Sequence, residues 1–450
     1  MMKKVFIIGG NAAGMSAASQ VKRQQPDWAV TVFEKGHHIS YAACGIPYYV
    51  QGIVPQIEDL ITVTPDEAIN KRNLDIQLKH EVTAIDPEKK QLAVNTEYGL
   101  FNEKFDYLLI ATGARPMKAG INYTPSERIY NAHTLNDADT LFNYIETAAP
   151  KKCAVIGGGY IAIEMVEAFI ERGLETHIIH RRSELSRSFE KELSDITFSE
   201  MEKHGVMMHL DFPVTAISDR GDKAVVFSGS SSVDFDLVVI GVGVEPNSEL
   251  AGSCGIEIGV EGSIRVNEYM QTNYPYIYAA GDCAETRNLI TGKPVYVPLA
   301  LKANKEGVAA GVNISGGREK YPGIIGSAIT KFCNLGLART GLTLDEALDG
   351  GFDAFKFEVS SHSKAGYYPG SGKVTTILIA EKKTGRLLGA QLAGPEDSVK
   401  RIDVYVTAIT AGMTLDQIFQ LDLSYAPPFS PVYDPVVLAA RVGRKKAGGK

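Results

Sequence analysis

The sequence predicts an α/β fold made of two parallel-sheet domains with the same internal order, followed by a third, α+β domain. Three observations predict this architecture. A short apolar strand, a glycine-rich turn and a long helix occur near the N-terminus, and the same order restarts at about residue 151. Short apolar strands alternate with helical patterns in both parts, which is typical of a parallel sheet. From about residue 326 the segments read as antiparallel strands, and the glycine-rich turn does not return.

Composition excludes several classes of protein. A chain of 450 residues with 44% hydrophobic and 22% charged residues is an ordinary globular protein with more than one domain. A net charge of −7 argues against nucleic acid as a partner. The five cysteines are isolated, without a CxxC or zinc spacing, so we expect no metal site and a reducing, cytoplasmic location. No apolar run is long enough to predict a membrane span.

The first glycine-rich turn has the features of a dinucleotide site. It occupies residues 9–14, between a strand at residues 4–8 and a helix that extends to about residue 25. Gly9 and Gly14 allow a tight turn and a close approach of the main chain to a pyrophosphate at the helix N-terminus. Glu34 ends the next strand, 20 residues after Gly14, where a carboxylate can bind a ribose.

The second glycine-rich turn differs in the charge that follows it. Gly157 and Gly159 occupy the same places in the pattern, and Ala162 replaces the third glycine. After the next strand the sequence has His180, Arg181 and Arg182 instead of an acid. Arginine binds a 2′-phosphate that a carboxylate would repel, so this site is predicted to prefer NADPH to NADH.

Two further motifs carry a family resemblance. ATGARP (residues 111–116, with Thr112 and Gly113) and YIYAAGDCAE (residues 276–285, with Gly281 and Asp282) resemble those of the FAD-dependent pyridine nucleotide-disulfide oxidoreductases. The resemblance covers essentially the whole chain. It implies an FAD domain in two pieces (1–116 and 245–325), an NAD(P)H domain (117–244) and a dimerisation domain (326–450). Gly281 and Asp282 would hold the flavin's ribityl and phosphate region.

Cys44 is the candidate catalytic residue. The disulfide-reducing branch of the family has a second cysteine five positions later, where this chain has Tyr49. The chain therefore resembles the single-cysteine branch: coenzyme A disulfide reductases, NADH oxidases and peroxidases, and persulfide or polysulfide reductases. A thiol just before a helix start is expected to have a lowered pKa, and a thiolate attacks a disulfide sulfur.

A second set of residues indicates which enzyme of the single-cysteine branch this chain resembles most, and so which substrate it reduces. NADH oxidases and peroxidases usually carry a histidine where this chain has Ala12, and a methyl group cannot donate a proton. The coenzyme A disulfide reductases resemble the chain more closely, although their usual asparagine before the cysteine is Ala43 here. The resemblance places these residues along a coenzyme A channel: Ser16, Gln20, Lys22, Arg23, Ser40, Ala43, Asn304, Lys305 and Tyr433.

The resemblance also predicts a homodimer with shared active sites. Tyr425, together with Tyr367 or Tyr368, would reach the Cys44 of the partner and protonate the leaving thiol. Glu164 resembles the family residue near the nicotinamide, and Tyr160 resembles the ring that moves aside when the nicotinamide docks.

The sequence therefore favours reduction of coenzyme A disulfide, or of related coenzyme A mixed disulfides, through FAD and Cys44, with NADPH or else NADH as the reductant. Between turnovers Cys44 is expected to be held as a mixed disulfide with coenzyme A. The nearest alternative is a coenzyme A persulfide or polysulfide reductase, which many relatives build with a C-terminal rhodanese domain that these 450 residues lack. An NAD(P)H oxidase or peroxidase and a non-catalytic redox-sensing flavoprotein are the remaining alternatives.

Overall fold

A computed structural model describes residues 2–185 and 188–446. The helices within these residues are α1 (Ala12–Gln24), α2 (Ile46–Gln51), α3 (Pro65–Arg72), α4 (Leu135–Ala148), α5 (Tyr160–Glu171), α6 (Lys191–Lys203), α7 (Glu249–Gly252), α8 (Ala300–Ile314), α9 (Leu344–Asp349), α10 (Ile402–Thr410), α11 (Leu415–Phe419) and α12 (Pro435–Lys446). Short 3₁₀ turns occur at Ala43–Gly45, Ile57–Leu60, Val260–Gly262 and Glu396–Arg401.

The strands in chain order are β1 (Lys4–Ile8), β2 (Ala29–Glu34), β3 (Asp75–Leu78), β4 (Glu81–Asp86), β5 (Gln91–Thr96), β6 (Gly99–Lys104), β7 (Tyr107–Ile110), β8 (Ala114–Pro116), β9 (Asn122–Tyr123), β10 (Ile129–Asn131), β11 (Lys152–Ile156), β12 (Glu175–Ile179), β13 (Met207–His209), β14 (Ala216–Asp219), β15 (Ala224–Ser228), β16 (Ser231–Phe235), β17 (Leu237–Ile240), β18 (Val244–Pro246), β19 (Ile277–Ala279), β20 (Thr286–Arg287), β21 (Pro294–Val295), β22 (Ala328–Phe332), β23 (Leu335–Gly341), β24 (Ala354–His362), β25 (Lys373–Glu381) and β26 (Leu387–Pro395).

Two parallel sheets form the part of the chain that contains the two glycine-rich turns. The first has the order β19-β7-β1-β2-β3, and the second has the order β10-β17-β11-β12-β13. All neighbouring strands in both sheets are parallel, which confirms the predicted fold class. Strand β19 follows the second sheet in sequence but belongs to the first, because its apolar residues pair with β7. The exact domain boundaries at 116, 244 and 325 remain predictions.

The third part of the chain is built on an antiparallel sheet with the order β22-β23-β26-β25-β24. Helices α10 and α12 pack on this sheet. Its core is continuous with that of the second sheet: buried residues such as Phe169 and Leu193 belong to the same apolar cluster as Ile377 and Leu392. The third domain therefore rests directly on the domain that contains α5.

The structure contains two sheets that the sequence pattern did not predict. A three-stranded antiparallel sheet, β4-β5-β6, lies between β3 and β7, and a four-stranded sheet joins β9 to β14, β15 and β16. The edge strands β6 and β16 of these two sheets are largely exposed, so their sequences lack the continuous apolar runs of the parallel strands. Among the residues that the structure describes, no helix is both long and apolar enough to cross a membrane.

Candidate active site

Cys44 lies in the 3₁₀ turn Ala43–Gly45, immediately before α2. This turn is held against the first glycine-rich turn, because the Asn11 side chain accepts a hydrogen bond from the Tyr41 N–H at 3.2 Å. The thiol is free and exposed to solvent. Tyr49, at the position of the second cysteine in other branches, is buried and stacks on a neighbouring phenyl ring. Cys44 is therefore accessible to a small molecule and has no thiol partner at that position.

The structure corrects the expected acidity of Cys44. Although the side chain is exposed, the pKa of Cys44 is raised above its ordinary value. The largest cause is partial burial, because neighbouring residues remove part of the hydration of the thiol. The negative charges of Glu164 and Asp282 are the next causes. Since α2 has only six residues, its dipole and the local main-chain bond do not compensate. The helix alone therefore does not make Cys44 a thiolate at neutral pH.

Two carboxylates of α5 are held by the third domain. The Thr330 hydroxyl donates a hydrogen bond of 2.9 Å to Glu164, and Lys331 forms an ion pair of 2.9 Å with Glu167. Burial raises the pKa of Glu164 to about 7, with Thr330 opposing the shift and Glu167 adding to it. A carboxyl group with this pKa, close enough to influence the Cys44 thiol, is suited to exchanging a proton near neutral pH.

The first glycine-rich turn has the geometry of a nucleotide site. Gly9 has a φ of 104°, and a side chain there would clash with the carbonyl oxygen of Ala111. Both oxygens of Glu34 accept main-chain hydrogen bonds, from Gly10 at 2.8 Å and from Gly36 at 2.7 Å. Glu34 therefore shapes the turn as well as providing the predicted ribose acceptor, since each carboxylate oxygen accepts more than one bond.

The Gly281–Asp282 turn contains buried polar groups that are suited to binding a polar ligand. Asp282 Oδ1 and the Tyr296 hydroxyl are buried, and neither has a hydrogen-bond partner within residues 2–185 and 188–446. The charge of Asp282 contributes to raising the pKa of Tyr296, so the two groups are close together. Unpartnered buried polar groups are rare without a ligand or water. Together with Gly9, these residues fit the FAD implied by the sequence.

Thr112 and Gly113 lie on the loop that follows β7. The Thr112 hydroxyl donates to the Asn247 carbonyl at 2.6 Å, and the Asn247 side-chain amide donates to the Thr112 carbonyl at 2.9 Å. Gly113 has a φ of 66°, a left-handed conformation that favours glycine. Thr112 and Gly113 therefore connect the end of β7 to the segment after β18, where the chain passes from the second sheet back to the first.

The second glycine-rich turn repeats this construction. A side chain at Gly157, whose φ is 140°, would clash with the Gly241 carbonyl. Gly159 caps α5, and the next residue, Tyr160, contacts Phe189 edge to face with ring centroids 5.5 Å apart. Burial raises the pKa of Tyr160 to about 12. Tyr160 is therefore neutral at physiological pH.

The basic residues after β12 lie at the mouth of this second turn. The His180 ring packs against Gly158, and its Nε2 is buried without a partner among the described residues. Burial, and then the charges of Arg181 and Arg182, lower the pKa of His180. Arg181 is exposed and Arg182 is half-buried, and no ion pair of either is found within the described residues. Arg181 is therefore accessible to an added anion.

Two of the predicted substrate residues, Ser16 and Asn304, meet where α1 crosses α8. The two helices approach closely because Gly307 lies on Ala13, where any side chain would clash. At this crossing the Ser16 hydroxyl donates to the Asn304 side chain at 2.8 Å. One turn further, Arg23 donates to Gln20 at 2.8 Å.

Lys22 has a structural contact that the sequence did not reveal. Its Nζ donates to the carbonyls of Pro26 and Trp28, at 3.0 and 2.7 Å, and so closes the turn after α1. Arg23 and Lys305 are exposed and are the better candidates for binding phosphate. Ser40 is tied to the side chain of Thr62 at 2.9 Å, beside the Cys44 turn that also contains Ala43.

The candidate tyrosines form an exposed surface of the third domain. The exposed fractions of Tyr367, Tyr368, Tyr425 and Tyr433 are 79, 38, 48 and 47%. The two segments that carry them are joined by a hydrogen bond of 3.2 Å from Ala365 to Pro427. Partial burial, then the hydrogen bond and charge of Tyr367, raise the pKa of Tyr425.

Comparison with known proteins places the chain in a family. Residues 3–307 match the pyridine nucleotide-disulphide oxidoreductase family, and residues 327–435 match the dimerisation domain of that family. The chain therefore belongs to the pyridine nucleotide-disulphide oxidoreductases, whose chemistry implies FAD and NAD(P)H and which are enzymes. The resemblance seen in the sequence is confirmed at this level.

The relatives are similar over almost the whole chain. An NAD(P)H sulfur oxidoreductase (CoA-dependent) of Pyrococcus furiosus is 42% identical over 98% of this chain and 99% of its own length. An NAD(P)H coenzyme A polysulfide/persulfide reductase of Pyrococcus horikoshii is 41% identical over 98% of both chains. A coenzyme A disulfide reductase of Staphylococcus haemolyticus is 30% identical over 97% of this chain and 98% of its own.

A solved structure gives the same result for the fold. The NAD-dependent persulfide reductase from A. fulgidus has a TM-score of 0.95 and 37% identity, over 99% of this chain and 84% of that one. By their names, these four proteins act on sulfur, on polysulfide or persulfide, or on coenzyme A disulfide.

Proposed function

We propose that this chain is an NADPH-dependent, homodimeric flavoenzyme that reduces a sulfur–sulfur bond of a coenzyme A compound at Cys44. Coenzyme A persulfide or polysulfide is the first candidate for the oxidant. The observation that carries the proposal is the exposed Cys44 thiol, which feels the charges of Glu164 and Asp282 and has no thiol partner five positions later. Bound FAD supplies the two-electron link between the pyridine nucleotide and the sulfur chemistry.

The protein's own residues have separate tasks in this reaction. The thiolate of Cys44 attacks one sulfur of the substrate, and the S–S bond breaks as a mixed disulfide forms. Glu164, whose pKa is about 7, takes the proton of Cys44 in this proposal. Tyr425 of the partner subunit protonates the departing sulfur. In balance, a coenzyme A persulfide, NADPH and one proton give coenzyme A, hydrogen sulfide and NADP⁺.

The choice of persulfide over disulfide differs from the order favoured by the sequence. It is supported by the names of the relatives at 41 and 42% identity, whereas the named coenzyme A disulfide reductase is at 30%. Coenzyme A disulfide is the second candidate, because the same thiol and the same basic residues, Arg23 and Lys305, serve either oxidant. Its reduction yields two molecules of coenzyme A and no hydrogen sulfide.

Product analysis separates the two candidates. The holoenzyme is supplied with NADPH and, in parallel, with coenzyme A persulfide, coenzyme A disulfide or glutathione disulfide. We expect kcat/KM for the persulfide to exceed that for coenzyme A disulfide by about tenfold or more, which corresponds to ~1.4 kcal/mol of transition-state stabilisation. Glutathione disulfide, which lacks the adenosine phosphates, is the control and is expected to react slowly. A higher kcat/KM for coenzyme A disulfide would make it the first candidate in place of the persulfide. Equal rates with glutathione disulfide and the coenzyme A compounds would contradict a coenzyme A site.

The preference for NADPH depends on Arg181 and Arg182. One charge-assisted contact with the 2′-phosphate contributes ~1.5–3 kcal/mol, or roughly tenfold to a hundredfold in affinity. Changing both residues to alanine is therefore expected to weaken NADPH binding by at least that factor and to leave NADH binding almost unchanged. The measurement is the Kd of each nucleotide. An equal loss for both nucleotides would show that the arginines do not read the 2′-phosphate, and Arg220→Ala, on an exposed turn of the same domain, is the matched control.

A further inference from the structure

A buried ion pair lies beneath the Gly281–Asp282 turn. Lys302 and Glu306 are one turn apart on α8, their Nζ and Oε2 atoms are 3.1 Å apart, and both side chains are 0% exposed. Removing two charges from water costs more than their attraction usually returns, unless further hydrogen bonds complete the arrangement. The pair therefore calls for a role beyond joining two turns of one helix.

The hydrogen bonds of the pair converge on one residue, Gly281. Lys302 Nζ donates to the Gly281 carbonyl at 2.9 Å and to the Ala284 carbonyl at 3.1 Å. Glu306 Oε2 accepts the Gly281 N–H at 2.9 Å. Both main-chain polar groups of Gly281 are thus bound by the pair, which holds this glycine at its φ of 85°.

The turn held in this way presents an unpartnered acceptor. Asp282 follows Gly281, and its Oδ1 is buried without a partner among the described residues. Burial raises the pKa of Asp282, while the positive charge of Lys302 opposes that shift. Lys302 therefore acts on Asp282 in two ways: it fixes the preceding residue, and it favours the charged carboxylate.

We propose that Lys302 and Glu306 are positioning residues of the flavin site, which set the Gly281–Asp282 turn in the conformation that binds FAD. They act through the turn and do not touch the cofactor. The inference rests on FAD being the ligand of the first nucleotide site, and it is independent of which sulfur compound is reduced. It predicts that cofactor affinity and fold stability respond differently when the pair is changed.

The test compares three variants of the full-length chain: Glu306→Gln, Glu306→Met and Lys302→Met/Glu306→Met. The Gln variant keeps an acceptor for the Gly281 N–H, whereas the Met variants remove it. The apoprotein of each is titrated with FAD by flavin fluorescence, and its Tm is followed by circular dichroism. We expect FAD affinity to fall about tenfold or more in both Met variants, which is the loss expected for hydrogen bonds to charged groups, and to stay within about threefold in Glu306→Gln.

The Tm values of the three variants are expected to follow a different order from their FAD affinities. The double variant replaces the pair with apolar side chains and leaves no buried charge unpaired, so its apoprotein should recover most of the Tm lost in Glu306→Met. Lys356→Met is the matched control, because it breaks an ion pair of 2.8 Å with Glu190, away from the turn. It should lower the Tm and leave the FAD Kd unchanged.

Two results would overturn the proposal. The first is a double variant that binds FAD as tightly as the wild type, which would make the pair an element of the fold only. The second is equal FAD affinity in Glu306→Gln and Glu306→Met, which would show that the bond to Gly281 has no effect on the cofactor. Failure of the sulfur-reduction proposal leaves both measurements intact, because neither depends on turnover.

Discussion

Replacing Cys44 with serine is expected to reduce sulfur–sulfur bond reduction by roughly 10⁴–10⁶-fold, the range seen when a catalytic nucleophile or its partner is removed. A serine hydroxyl does not form the mixed disulfide, and the chain has Tyr49 where other branches have a second thiol. FAD binding and bleaching of the flavin absorption by NADPH should survive, because the nucleotide contacts lie elsewhere. Stopped-flow absorption and steady-state turnover measure the two quantities separately.

The control for this change is Cys254→Ser. Cys254 is half-buried after α7, and its Sγ contacts the Ala251 carbonyl at 3.1 Å, a bond that a hydroxyl can replace. We expect unchanged turnover in this variant. Near-normal turnover in Cys44→Ser, with Cys44 verified as absent by mass, would contradict the thiol mechanism. Loss of bleaching by NADPH in the same variant would mean that the substitution disturbs the cofactor sites.

Tyr425→Phe is expected to slow sulfur reduction by roughly 10²–10⁴-fold while bleaching of the flavin absorption by NADPH stays fast. General-acid catalysis contributes a factor of this size when the donor reaches the leaving atom. Tyr425 is 48% exposed in the third domain, so it is available to a second subunit. Tyr98→Phe, on a ring 92% exposed in the first part of the chain, should have no effect.

Subunit exchange tests where the tyrosine acts. A Cys44→Ser homodimer and a Tyr425→Phe homodimer should each be poor catalysts. After statistical exchange about half the dimers are mixed, and each mixed dimer has one intact site and one with both defects. Activity should then rise toward about a quarter of the wild-type value. No gain after verified exchange would place the action of Tyr425 within its own subunit or remove it from the mechanism.

The features that could be predicted from the sequence are local. The two glycine-rich turns were identified correctly because a strand, a tight turn and a helix are encoded within about 20 consecutive residues, and the φ values of Gly9 and Gly157 agree. The antiparallel third domain was recognised from its apolar strands. Strands β4 to β6 and β14 to β16 were missed; the edge strands β6 and β16 are largely exposed and lack a strong apolar pattern.

The position of Cys44 before a helix was also predicted correctly, but its acidity was not. The helix dipole can be inferred from neighbouring residues. The pKa of Cys44, however, is raised by burial and by carboxylates that belong to other segments of the chain. Glu164 is 120 positions away and Asp282 lies in a different motif. Lys22 shows the same limit at shorter range: its charge suggested a phosphate contact, and the turn after α1 instead binds its Nζ.

The sequence by itself determined the class of fold, the two nucleotide-binding turns and the thiol, because each depends on residues close together in the chain. Only the tertiary structure determined the pKa values of the ionisable groups and the contacts that hold the Gly281–Asp282 turn. Thr330 binds Glu164 across 166 positions, and the Lys302–Glu306 pair holds Gly281 across more than 20. Desolvation and hydrogen bonding depend on three-dimensional surroundings rather than on sequence distance, so the pKa values and the buried ion pair emerge only when the chain is folded.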